Sequence, residues 1–288
     1  MKYKNKPSLY GAIIGDIVGS IYEGTPIRSK DFDLFTQNNN FNEKGEQTVA
    51  SFYGSHFTDD TVMTLAIANA LLECNGDYRN LRQMAVKNMQ ELGHKYPHAG
   101  YGRRFKDWLK EKDPEPYYSF GNGSAMRISA VPYFANSLTE VIGLSKMVTD
   151  VTHNHYEGEK GAEALAVAIW LAQNNYSKEE IKKYIEDNYY KLDFDYDELI
   201  LTYGFDETCP GSMAESLFAF FISDSYEDCI KTAVSMGGDA DTMACIAGAL
   251  AGAYYGVPQD LVEKAKYFIT PDLQQIIDKF DAKIQERN

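Results

Sequence analysis

The stretch SMGGDADTMACIAGALAGAYYG, residues 235–256, decides the fold. Gly237-Gly238 is a good C-terminal stop for a preceding helix. From Asp239 to Tyr255 the chain reads as a new helix headed by two acids. Its body, MACIAGALAGAYY, is apolar nearly all round and is therefore expected to be buried. A second stretch, HFTDDTVMTLAIANALL at residues 56–72, has the same design. Thr58 or Asp59 can cap its N-terminus, acids fill the first turn, and Ala and Leu follow throughout. Thr-Asp-Asp would cap any helix well, and one carboxylate suffices for that purpose. The doubled acid argues for more, because adjacent carboxylates repel each other unless a cation sits between them. Hydroxyl and carboxylate oxygens form a hard donor set that suits Mg²⁺, Mn²⁺ or Ca²⁺ rather than zinc. The two stretches are expected to meet in space and hold divalent metal together.

Outward from these helices the pattern stays helical. Residues 8–24 read as a helix and a following loop, with Gly11, Gly15 and Gly19 repeating every four residues. Such a stripe marks the close approach of another backbone. Asp16 reads as a buried carboxylate bonded to a neighbouring loop. Glu23 lies beside Gly24, Thr25 and Pro26, where it can swing over a site or stand in solvent. Residues 25–55 read as a long polar loop, with turns at Asn38-Asn39-Asn40 and Lys44-Gly45-Glu46. A helix follows over 79–92, then a loop at Gly100-Tyr101-Gly102 and a helix through Trp108. Gly121-Asn122-Gly123-Ser124, with AMRISAV after it, reads as a loop feeding a helix N-terminus, either an anion site or an ordinary glycine turn. His153 and His155 are two apart and do not share a helical face, so they are no helical zinc pair. They read as solvated loop histidines or as donors to a ligand phosphate.

Further helices are expected over 138–150, after residue 155, and over 178–190, with residues 193–211 irregular. MAESLFAFFIS and YEDCIKTAVS read as two more helices. Two peripheral helices close the chain, with Pro258 near the start of one and Pro271 between them. Strand signals are scarce and no repeat has solenoid length. The expectation is one all-α domain over residues 1–288.

The chain has 288 residues, 44% of them hydrophobic and 24% charged, enough for a large core. Its net charge of -14 argues against general nucleic-acid binding and against an anionic membrane surface. No stretch reaches the roughly 18 apolar residues of a membrane span. Lys2, Lys4 and Lys6 precede an apolar stretch, but Asp16 and three glycines break it too early for a signal peptide. Cys74, Cys209, Cys229 and Cys245 are scattered without metal-ligand spacing and read as small apolar fillers, which fits a reducing cytoplasm.

Five motifs in order, GDIVGSIYEG, FTDDT, FGNGSAMR, VTHNH and GGDADT, resemble the ADP-ribosylglycohydrolase family, which includes dinitrogenase reductase-activating glycohydrolase. The match is closest to bacterial members. The resemblance implies an orthogonal multi-helix bundle with two divalent metal ions, Mg²⁺ or Mn²⁺, in a central cleft. It implies Thr58, Asp59 and Asp60 as one metal-binding set and Asp239, Asp241 and Thr242 as the other, with Asp241 bridging the ions. Glu23 matches the family's mobile glutamate. Gly100, Tyr101 and Gly102 match a loop around the diphosphate. Gly121, Asn122, Gly123, Ser124 and His153 match positions near the phosphates and proximal nucleotide, and Phe120 matches an aromatic that stacks on adenine. The tracts 31–55 and 186–211 carry no matching motif.

The implied reaction is hydrolysis at the anomeric carbon of ADP-ribose, in an ADP-ribosylated protein or a small ADP-ribosyl conjugate, through an oxocarbenium-like transition state. Asp60 and Glu23 are both candidates for the base. A metal-free glycosidase with paired carboxylates fits less well, because threonine hydroxyls stand beside the acids. Two other classes remain. One is a non-catalytic ADP-ribose binder or a structural, crystallin-like protein, which need not keep this full set of acids and threonines. The other is a phosphohydrolase, which would yield AMP rather than ADP-ribose.

Overall fold

The computed structural model describes residues 8–36 and 54–287. The expected turns at 38–40 and 44–46, and the basic residues Lys2, Lys4 and Lys6, lie outside the described residues. Fifteen α-helices are present among those described, with no strand and one isolated bridge between Gly121 and Thr208. In chain order the helices are α1 (Tyr10–Gly19), α2 (Asp59–Cys74), α3 (Leu81–Lys95), α4 (Arg103–Trp108) and α5 (Gly123–Met126). Next come α6 (Val131–Phe134), α7 (Leu138–Thr149), α8 (Tyr156–Gln173), α9 (Lys178–Asn188) and α10 (Tyr196–Thr202). The last five are α11 (Cys209–Ile222), α12 (Tyr226–Met236), α13 (Ala240–Tyr255), α14 (Gln259–Ala265) and α15 (Pro271–Arg287). The fold is all-α, as expected.

Helix α13 is the axis of the bundle. Every residue from Ala240 to Ala253 is buried, so the helix is walled on all sides, by α1, α8, α11 and α12. The closest neighbour is α1, and the glycine stripe explains why. A Cβ placed on Gly11, Gly15 or Gly19 would lie 2.6, 2.0 and 2.4 Å from the carbonyl oxygens of Gly248, Ala244 and Ala240. A Cβ on Gly248 would in turn meet the Gly11 carbonyl oxygen at 2.3 Å. No side chain fits between these backbones, and none is needed where main chains pack directly. The contact order (11 with 248, 15 with 244, 19 with 240) makes the two helices antiparallel. The C-terminal end of α1 therefore lies against the N-terminal end of α13, and this brings the acids of both together.

The termini follow the local sequence. Thr58 caps α2, its side-chain oxygen accepting from the Asp60 N–H. Gly237, at φ 77, ends α12, and Gly238, at φ 74, continues the left-handed turn into α13, a conformation that glycine adopts without strain. Three sequence expectations need correction. The tract 193–211 is not wholly irregular: Asp195 caps α10, and Thr208 caps α11, which starts four residues before MAESL with Pro210 in its first turn. AMRISAV does not form one helix: α5 ends at Met126 and Pro132 sits near the start of the separate α6. Pro271 does not lie between the last two helices but opens α15. The four cysteines are free, three of them buried.

Candidate active site

Six acids converge where α1, α2 and α13 meet. Asp16 comes from α1, Asp59 and Asp60 from the first turn of α2, Asp239 and Asp241 from the head of α13, and Glu23 from the loop after α1. Carboxylate oxygens of Asp16, Asp60 and Asp241 lie within 4.8 Å of one another. Those of Glu23, Asp239 and Asp241 form a second group within the same distance. Asp241 belongs to both groups. Asp59 belongs to neither and lies against Gly100.

Hydrogen bonds assign different tasks to these acids. Asp16 accepts from the backbone N–H and hydroxyl of both Thr58 and Thr61, so it holds the start of α2 in place. This is the buried, loop-binding carboxylate that the sequence suggested. Asp60 Oδ2 accepts from the Thr242 hydroxyl at 3.2 Å, which ties the two acid-headed helices together. Its other oxygen, Oδ1, is buried without a hydrogen-bond partner among the described residues. Asp239 accepts from Asn122 Nδ2 at 2.7 Å.

Burial raises all six carboxyl groups above their ordinary range, and repulsion from other acids of the cluster adds to this at Glu23, Asp59, Asp60 and Asp241. Asp59 is pushed up to about 8, first by burial and then by the charge of Asp16. Asp60 is raised well above normal by burial, then by Asp16, Asp59 and Asp239. Asp241 is raised likewise by burial, Asp239, Asp60 and Glu23. No lysine or arginine forms an ion pair with any of the six among the described residues. Crowded carboxylates without a counter-charge, an orphaned Asp60 oxygen and flanking threonine hydroxyls fit hard divalent cations.

Five of the six acids, all but Asp16, line a cleft of about 650 Å³. Glu23, Thr58, Asp59, Asp60, Asp239, Asp241 and Thr242 line it, as do Gly100, Gly102, Phe120, Gly121, Asn122, Gly123 and His153. The structure thus gathers most of the candidate residues around one space. Two of them stand behind the wall. Tyr101 is turned into the core beside Phe105, and its hydroxyl is buried. Ser124 donates to the Gly158 carbonyl at 2.8 Å. The loop at 100–102 therefore meets the cleft through its two glycines. Helix α5 has only four residues, too short for the helix N-terminus that the glycine loop suggested.

The cleft is also lined by groups that sequence reasoning passed over. Arg103, Arg104, Arg127 and His98 line it, and Phe205 and Glu207 enter from the segment between α10 and α11. The Glu207 carbonyl accepts from Asn122 N–H and the Phe120 carbonyl from Cys209 N–H, so this segment pairs with the glycine loop. The sequence signal for Arg127 was present inside FGNGSAMR. No motif marked Phe205 or Glu207.

The helical bundle has known counterparts. Residues 4–288 match the family model described as ADP-ribosylglycohydrolase, and the chain belongs to that family. Among curated proteins it is 27% identical to the ADP-ribosylhydrolase ARH3 of Mus musculus, covering 87% of this chain and 83% of that protein. It is 28% identical to the ADP-ribosylarginine hydrolase Tri1 of Pseudomonas putida, covering 91% of this chain and 74% of the relative. Among solved structures, a chain of an "ADP-ribosylglycohydrolase-related protein complex" superposes with a TM-score of 0.66 at 22% identity, covering 96% of this chain and 95% of the other. That similarity shows the fold.

Proposed function

We propose that this protein is a metal-dependent hydrolase that cleaves the glycosidic bond at the anomeric carbon of ADP-ribose. Its substrate is an ADP-ribosylated protein or a small ADP-ribosyl conjugate, and residues 1–288 act as one domain. The observation that carries this reading is the pair of carboxylate groups that share Asp241. Two Mg²⁺ or Mn²⁺ ions would be held by Thr58, Asp59, Asp60, Asp239, Asp241 and Thr242. Such ions, when bound, bind sugar hydroxyls and lower the pKa of a bound water.

The chain's own groups account for the rest. Asp60 keeps an unpartnered oxygen at the centre of the cluster and is one candidate for taking a proton from the attacking water. Glu23, exposed on a loop yet within reach of Asp239 and Asp241, is the other. Gly100, Gly102, Gly121 and Gly123 leave room for a phosphate backbone close to the wall, and Phe120, 45% exposed at the rim, offers a stacking face for the base. No helix among the described residues is long and apolar enough to cross a membrane, and the free thiols suit a reducing cytoplasm.

The test is product analysis on ADP-ribosylated peptides and on ADP-ribosyl-arginine, with Mg²⁺ or Mn²⁺ added. Free ADP-ribose is expected from the wild type and none from Asp241→Ala. Release of AMP would reassign the reaction to the diphosphate. Binding of ADP-ribose with no release from any conjugate would reassign the protein as a binder.

A further inference from the structure

We propose that Arg28 is a positioning residue: it pins the loop that carries Glu23 to the segment that carries Phe205 and Glu207, and so holds Glu23 against the head of α13. The Arg28 backbone stands at φ 54, in the left-handed region that long side chains rarely adopt. Such a conformation persists only where its surroundings hold it. Here the guanidinium spans two main-chain carbonyls. Nη1 donates to that of Met236, the last residue of α12, and Nη2 to that of Tyr203, just past α10, at 2.7 Å. Carbonyls at helix ends lack a partner within the helix and carry its negative pole, so one cation serves both. The planar fork suits this task, because its outer nitrogens point at separate acceptors.

The glycines of GGDADT make room for the junction. A Cβ on Gly237 would lie 2.8 Å from Pro26 Cβ and 3.0 Å from Arg28 Cζ. A Cβ on Gly238 would lie 2.4 Å from Tyr203 Cε1. The loop after α1 and the start of the α10–α11 segment thus both rest on the turn that leads into Asp239, and Arg28 joins all three. Glu23 lies five residues before Arg28, and Phe205 and Glu207 lie two and four residues after Tyr203. At its other end the Glu23 loop is fixed by Ser20. Its N–H donates to the Asp16 carbonyl at 2.9 Å, and its hydroxyl to the Ile17 carbonyl at 2.9 Å. Between these two posts Glu23 is exposed, and Gly24 has nothing within 4 Å of its would-be Cβ. Carboxylate oxygens of Glu23, Asp239 and Asp241 nevertheless lie within 4.8 Å of one another. Carboxylates this close repel when ionised, so an anchor outside the acids must oppose the loop's departure. Arg28 is that anchor. It touches no reacting atom and acts through Glu23.

Lys30 is the natural control. It holds the same stretch farther from Glu23, pairing with Asp228 of α12 at 2.9 Å and lying 5.1 Å over the ring of Tyr196 in α10. The clamp stands on geometry, whereas its effect on turnover rests on the hydrolase reading, and the experiment separates the two. Hydrogen exchange is measured on the metal-free full chain for wild type, Arg28→Met, Arg28→Lys and Lys30→Met. Arg28→Met should speed exchange by about tenfold or more in peptides over residues 20–28 and 203–208 together, with the interior of α13 unchanged. Arg28→Lys keeps the charge without the fork and should fall between, and it carries the test if Arg28→Met does not fold. Lys30→Met should leave both segments at the wild-type rate. Turnover with added Mg²⁺ or Mn²⁺ then sets Arg28→Met in a double-mutant cycle with Glu23→Gln. Arg28→Met should lower kcat roughly tenfold with KM near the wild-type value. Its loss should not exceed that of Glu23→Gln and should vanish in the Glu23→Gln background. Unchanged exchange in either segment, or equal acceleration in Lys30→Met, overturns the clamp. A kcat that Arg28→Met leaves unchanged, or losses that multiply in the double variant, overturn its action through Glu23. A wild type that releases no ADP-ribose from any conjugate overturns the functional reading, while the exchange rates still decide the clamp.

Discussion

Helices α2 and α13 begin with the same chemistry and are used differently. At α2 the N-cap is a threonine whose oxygen accepts from the Asp60 N–H, while its hydroxyl donates to Asp16. The cap is thus served locally, and Asp60 keeps one oxygen free. At α13 the N-cap is Asp239, which makes no side-chain cap bond. The Gly237-Gly238 turn sets the backbone there instead, and both carboxylates face the cleft. The surroundings differ as well. Helix α13 is buried on every face through Ala253, whereas Asn69 and Glu73 of α2 reach solvent. One acid-headed helix anchors and the other is shared. Similar sequence at a helix start does not assign similar work, because the cap residue decides whether the acids are occupied.

That contrast can be broken at several points. The largest effect is expected at the shared acid. Asp241→Ala removes a carboxylate from both groups and should abolish measurable turnover. Asp59→Ala, outside both groups, should leave more activity, and assays of both variants side by side check the order. Asp60→Asn should lower kcat by about 10²- to 10⁴-fold if Asp60 is the base, with a smaller loss for Glu23→Gln. The reverse ranking would hand that role to Glu23.

The close approach of α1 to α13 can be tested through stability. Gly15→Ala forces a methyl against the Ala244 backbone and should cost about 3 kcal/mol or more in denaturant unfolding. Gly143, in exposed surroundings on α7, has nothing within 4 Å of its would-be Cβ, so Gly143→Ala should be neutral or stabilise by up to about 1 kcal/mol.

A third test concerns pH. The cluster's carboxyl groups titrate higher in the folded chain than in the unfolded one. Their contribution therefore favours the fold at low pH and is lost as pH rises, and for Asp59 this spans about 4 to 8. Metal-free protein should show a falling contribution to Tm across that window. Added Mg²⁺ or Mn²⁺ should flatten the slope, since a cation that binds only the folded, ionised site stabilises it. At the cap a modest effect is expected: Thr58→Ala should cost about 1–2 kcal/mol in unfolding.

Much of this was legible in the sequence, and the reasons are specific. The glycine stripe at 11, 15 and 19 announced a backbone contact because glycine at helical spacing has few other uses. The doubled acids announced a charge problem that a cap alone does not explain. The loop-binding role of Asp16 followed from its place within an apolar helix. Other features were not legible. Phe205 and Glu207 reach the cleft through a loop whose position depends on the backbone pairing of Glu207 and Cys209 with the glycine loop, and no local pattern encodes that pairing. The inward turn of Tyr101 depends on packing against Phe105. Arg127 stood in a quoted motif, but its place along the cleft is a property of the folded surroundings alone.

The central claim is that two cation sites share Asp241. Calorimetric titration of metal-free protein with Mn²⁺ tests it most directly. Two ions per chain are expected in the wild type, with both binding events weakened in Asp241→Asn. A wild type that binds no Mn²⁺, or an Asp241→Asn protein that binds two ions with unchanged affinity, would contradict it.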